Sequence, residues 1–96
     1  MGLRSTVLAS GAVAGIIYDF ERAGDDLAAH VHALETNHIS IVARGSFRLV
    51  GDPAIAGKVL PTGSVVLWPV GQAHGFVAFE DRSRIVQIAT AGKTDE

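Results

Sequence analysis

The chain has 96 residues, of which 48% are apolar, and a formal net charge of −2. That supports one small folded domain, and without a basic block there is no electrostatic reason to expect nucleic acid as a partner. Cysteine is absent, so disulfides and thiol chemistry are excluded and any metal must be held by His, Asp, Glu or water.

The opening MGLRSTVLASGAVAGIIYDF can be read in two ways. Arg4 followed by apolar residues and Ala12-Val13-Ala14 resembles a leader with a cleavage site. Ser5, Thr6 and Ser10 interrupt its apolar centre, so two short strands, Thr6–Ser10 and Val13–Glu21, are expected instead, with a cytoplasmic setting. No apolar run reaches the roughly 18 to 20 residues that span a membrane. In the second strand Ile16, Tyr18 and Phe20 share one face and Ile17, Asp19 and Glu21 the other, the alternation of a half-buried strand.

A turn at Ala23–Asp26 leads into a strand over Leu27–His32, and Leu34–Asn37 carry the chain round to Ile39–Ala43, a strongly strand-prone run. After an Arg44-Gly45-Ser46 corner, Phe47 and Leu49 alternate with Arg48 and Val50. Asp52-Pro53 is a turn signal, PAIAG is ambiguous, and a short strand over 58–60 precedes the Pro61-Thr62-Gly63 turn. Ser64–Trp68 form a strand that ends at Pro69, which cannot donate to a ladder. His74–Phe79 and Arg84–Thr90 are the last two strands, and Gly92–Glu96 a frayed tail. Eight to ten short strands with turn residues between them, and no helical period, predict an all-β sandwich or barrel.

The four histidines carry the chemistry. On a strand His30 and His32 project to one face, and two imidazoles so spaced can grip one metal ion. If the run beginning at His38 returns antiparallel to that strand, His38 faces back towards the same point. His74 lies in a second stretch, GSVVLWPVGQAHGFVA.

These two stretches resemble the two sequence motifs of the cupin family. Gly24, His30, His32 and Gly45 fit the first motif, with His38 where most cupins have Glu. Gly63, Pro69, Gly71 and His74 fit the second, with Ala78 where the family has Asn. The resemblance covers residues 24–78. It implies a single cupin domain over 1–96, a double-stranded β-helix or jelly-roll barrel with its core at about 13–91. It also implies one divalent transition metal ion (Fe, Ni, Zn or Cu) near one mouth, bound by His30, His32, His38 and His74. Glu35, in the gap before His38, is an alternative to His38, or a surface turn carboxylate. A homodimer is also implied, which would cover the exposed edge strands.

Four neutral ligands leave the full charge on a divalent ion. That should make bound water more acidic and favour ferrous, nickel, zinc or cupric ions over ferric. Phe76 and Ala78 share the face of His74 and are expected to point inward. Tyr18, Arg48, Phe76 and Gln87 are candidate substrate-binding residues. Arg48 could hold a carboxylate and Gln87 orient it if they face inward; facing outward, which alternation favours, both are ordinary solvated side chains. Trp68 reads as core or subunit contact. The resemblance leaves two functions open: a metal-dependent enzyme of dioxygenase or isomerase/lyase type acting on a small polar molecule, or a non-catalytic small-molecule or metal-binding module.

Overall fold

The computed structural model describes residues 2–9, 13–30, 37–69 and 71–90. The Gly11 break, His32, Glu35 and the tail after Thr90 lie outside the described residues. Among the described residues there are nine strands: β1 (Leu3–Ala9), β2 (Val13–Phe20), β3 (Asp26–His30), β4 (Asn37–Arg44), β5 (Phe47–Gly51), β6 (Val59–Leu60), β7 (Val65–Trp68), β8 (His74–Ala78) and β9 (Ser83–Thr90). Among the described residues there is no helix, and so none long and apolar enough to cross a membrane.

Two sheets face one another. One runs β1-β2-β9-β4-β7 and the other β3-β8-β5-β6, with every paired strand antiparallel. The alternation read from the sequence sets which residues turn inward. In β5, Phe47 and Leu49 are buried and Arg48 is exposed. In β2, Phe20 is fully buried and Tyr18, two residues earlier on the same face, packs against the core.

Two expectations change. β1 starts at Leu3 rather than Thr6, because Leu3 pairs with Phe20 and Arg4 with Asp19 at the end of β2; pairing extends the strand beyond what local propensity marks. More important, β3 does not pair with β4. β3 pairs with β8, and β4 lies in the other sheet between β9 and β7. The chain therefore changes sheets between His30 and Asn37 and makes no hairpin there.

The core is a column of aromatic rings crossing from sheet to sheet. Phe20 meets Phe47 edge-on with centroids 4.8 Å apart, and Phe47 meets Phe76 at 6.0 Å. Phe76 in turn meets Trp68 edge-on at 6.0 Å. Burial of each large side chain contributes about 1.5–3 kcal/mol, and each edge-to-face contact about 0.5–1.5 kcal/mol more. Gly45 sits at φ +77°, a conformation that other residues adopt only under strain, and a Cβ there would collide with the buried Ser83 side chain.

At the end of the barrel where β2 closes, Asp19 ties three strands together. It accepts from Arg84 Nε at 2.7 Å and Nη2 at 3.2 Å, and from Arg4 Nη2 at 3.4 Å. The Arg84 hydrogen bonds, ahead of the Arg4 contact, hold the Asp19 carboxyl below its ordinary pKa.

Phe47→Ala should cost about 3–5 kcal/mol in urea unfolding, whereas Arg48→Ala on the same strand should change stability by less than about 0.5 kcal/mol. Because the folded pKa of Asp19 is depressed, its contribution is complete above the unfolded value near 3.8 and is lost as pH falls through the lower folded value. Asp19→Asn should therefore lower stability at neutral pH and flatten the acid limb of the stability profile.

Candidate metal centre

At the opposite end of the barrel from Asp19, His74 opens β8 just after the Gly71-Gln72 turn. Its ring is fully buried. Its Nδ1 lies 3.0 Å from the Gln72 carbonyl oxygen. A carbonyl only accepts, so Nδ1 carries the proton in this contact and Nε2 is the basic nitrogen, the one whose lone pair could ligate a metal. A backbone acceptor behind a histidine is the arrangement that orients metal-ligating imidazoles and raises their basicity.

The His74 ring lies flat against Trp68, with centroids 4.1 Å apart and planes 1° from parallel. Trp68 ends β7 in the other sheet, so this stack joins the two sheets. The indole is itself held from behind. Trp68 Nε1–H donates to Ser40 Oγ at 2.8 Å, and Ser40 Oγ–H donates to Gln87 Oε1 at 3.1 Å. All three side chains are buried, where a satisfied polar chain fixes orientation and an unsatisfied one is costly.

His38 is buried and stands directly opposite Trp68 in the β4–β7 register. It lies two residues before Ser40 and four before Val42, both buried, so the three form the inward row of β4. Directly opposed residues in an antiparallel pair are close neighbours on one face. His38 and His74 thus come from different sheets and both adjoin Trp68.

His30 is the backbone partner of His74 in the β3–β8 register. Three of the four histidines are therefore placed by register around one end of the barrel. The side chain of His30, and all of His32 and Glu35, lie outside the described residues. Among the described residues no group of three or more His, Cys, Asp or Glu side chains is close enough to hold a metal; His38 and His74 are the two histidines whose side chains are described. The donor chemistry fits a borderline transition metal: buried imidazoles, one with its ligating nitrogen fixed by a hydrogen bond on the other.

The remaining candidate residues are spread out. Phe76 is fully buried in the core beside His74, with ring centroids 6.2 Å apart. Gln87 is buried and turned inward, against the outward orientation that alternation favours, because its register partner on β4 is the buried Ser40. Its role is to anchor the Ser40–Trp68 chain. Tyr18 is half-buried, and burial raises its phenol pKa. It is paired with Ile85, four residues along β9 from the Ala89 that pairs with His38, roughly 13 Å along the strand. Arg48 is exposed on the outer face, so its solvated reading holds and it does not enter the interior. Ser40 was not singled out from the sequence; its place two residues after His38 on a strand is the signal that could have found it.

Comparison with solved structures gives the fold class. An RmlC-like cupin from Desulfovibrio desulfuricans superposes with a TM-score of 0.83 at 22% identity, over 94% of this chain and 83% of that one. KdgF from Halomonas sp. superposes at 0.81 and 22% identity, over 94% and 81%. The polyketide cyclase RemF from Streptomyces resistomycificus superposes at 0.68 and 22% identity, over 82% of this chain and 54% of that one. No protein-family model matches the sequence, and no curated protein sequence does. The chain has the fold of these cupins, a double-stranded β-helix.

Ser40→Ala removes the partner of the buried Trp68 Nε1–H and should cost about 1–3 kcal/mol. Trp68 is the only tryptophan, so the same substitution should shift the protein's intrinsic tryptophan emission, read against Arg48→Ala as a control.

Proposed function

We propose that this cupin binds one divalent transition metal ion per chain through His30, His32, His38 and His74, and acts with it on a small polar molecule. The observation that carries this reading is the convergence of His38 and His74 on Trp68 from opposite sheets, with the basic nitrogen of His74 set by the Gln72 carbonyl. A divalent ion held there supplies Lewis acidity, or redox chemistry if it is iron or copper. The chain's own part is to hold the imidazoles in place and keep bulk water from one side of the site. Trp68 and Phe76 form that side, both at most 4% exposed. That the fold is shared with an enzyme, a polyketide cyclase, supports catalysis as a use of this scaffold, although fold alone does not choose the reaction.

The same apolar wall favours a second reading, a non-catalytic module in which the ion is enclosed and only binds. Water-proton relaxation of the copper-loaded protein separates the two. Rapidly exchanging water supports the enzyme, and its absence supports the closed module. In either reading the protein acts in the cytoplasm as a homodimer. Support for the dimer comes from the edge strand β7, where Val65 and Leu67 are each 66% exposed, an edge that a second copy would cover.

Tag-free protein incubated with zinc, nickel or ferrous iron and then desalted should retain about one ion per chain, with a change in Trp68 emission on loading. His38→Ala and His74→Ala should each weaken retention by at least about tenfold. Protein that retains none of these ions after reconstitution would remove the reading.

A further inference from the structure

A second cluster of charged side chains lies at the other end of the barrel, on the outside. A cavity of about 460 Å³ is lined there by Arg4, Arg44, Arg82 and Arg84 with Asp19 and Glu21. The sheet register explains the assembly. Arg4 is opposite Asp19, Asp19 opposite Arg84, and Arg84 opposite Arg44, one row across β1, β2, β9 and β4. Phe20 and Ile85, the next residues in β2 and β9, are fully buried, so the row lies on the outer face. Arg44 is six residues beyond His38 on β4, roughly 20 Å along the strand. This is not the histidine site.

Three features set the row apart from an ordinary solvated face. First, four guanidiniums meet two carboxylates in a chain whose net charge is −2, and Asp19 is already engaged by Arg84 and Arg4. Arg44 and Arg82 have no ion pair among the described residues. Second, Arg44 sits directly across from Arg84 next to a β-bulge at Val42–Arg44. Like charges directly opposed on a sheet repel, and bulges re-aim side chains at functional positions. Third, Arg82 has φ +56°, the only described non-glycine residue in the left-handed region. Its amide donates to the Glu21 carbonyl at 2.9 Å, which fixes that backbone. Glycine would adopt the same conformation with less strain, and strain retained at an arginine beside a cavity points to use of its side chain.

We propose that this outer cavity binds a small oxyanion, a phosphate or carboxylate group, with Arg44 and Arg82 as its principal donors and Arg84 completing the positive wall. A doubly charged oxyanion relieves the Arg44–Arg84 repulsion, and planar guanidiniums match its oxygens in bidentate geometry.

Isothermal titration of the full chain, treated with chelator so that no metal can capture the anion, tests this with inorganic phosphate, phenyl phosphate and succinate as probes. At least one should bind with one-to-one stoichiometry and weaken as salt rises. Preference for phenyl phosphate points to a phosphomonoester ligand, and preference for succinate to a dicarboxylate. Arg44→Gln and Arg82→Gly should each weaken binding at least roughly tenfold, while Arg48→Ala, an exposed arginine elsewhere, should leave it unchanged. Arg82→Gly should at the same time raise the Tm by relieving the backbone, which rules out loss of fold as the cause. Absence of saturable binding by all three probes overturns the proposal. So does a binding constant unchanged by Arg44→Gln or by Arg82→Gly, or one weakened equally by Arg48→Ala.

Discussion

The contact on which the rest depends is the parallel stack of Trp68 on His74. It is the point at which the five-stranded and four-stranded sheets meet at the histidine end of the barrel, through one ring from each. Below it the aromatic column descends through Phe76 and Phe47 to Phe20. Beside it stands His38, opposite Trp68 in register, and behind it Ser40 and Gln87 hold the indole by hydrogen bonds. A stack of this kind places a titratable, metal-ligating ring at the top of an apolar core without leaving it loose. The cost of burying Ser40, Gln87 and the histidine is offset by the hydrogen bonds each one makes.

Much of this was legible in the sequence because strands have period two. Phe47, Arg48 and Leu49 declare their faces by alternation alone, and Pro69, Gly63 and Gly45 mark strand ends that the structure has. The resemblance carried by Gly24, His30, His32 and Gly45 and by Gly63, Pro69, Gly71 and His74 implies the double-stranded β-helix that the structure has. Three things were not legible. Alternation says which residues share a face but not which face is inside, so Gln87 and Arg48 looked alike from the sequence. Only the partner strand separates them: Gln87 meets the buried Ser40 and turns inward. Pairing was the second. A short polar gap between two strands suggests a hairpin, yet the chain uses that gap to cross from one sheet to the other, so that His38 approaches from the facing sheet. The third was the partner of Trp68: its place in the core reads from the sequence and holds, but the ring it stacks on lies in the other sheet and leaves no local trace.

The two ends of the barrel carry opposite chemistries on opposite surfaces. At one end, His38 and His74 lie buried on the inside above an aromatic core. At the other, arginines gather on the outside, with Asp19 the one carboxylate ion-paired to them among the described residues. Strands β4 and β9 run between the two, with His38 and Arg44 near opposite ends of one strand and Ala89 and Arg84 near opposite ends of the other. These two strands pair with each other from His38–Ala89 to Arg44–Arg84 and so set the spacing of the two ends; the interior site and the outer cavity share a scaffold and no side chain.

The central claim is that imidazoles from both sheets surround one cation. X-ray absorption spectroscopy of the nickel- or zinc-loaded protein, with one equivalent of metal, measures it most directly by counting imidazole ligands from their multiple-scattering signature. The account predicts four imidazoles in the native protein and one fewer in His38→Ala. A spectrum with two imidazoles or fewer, or one that His38→Ala leaves unchanged, would contradict it.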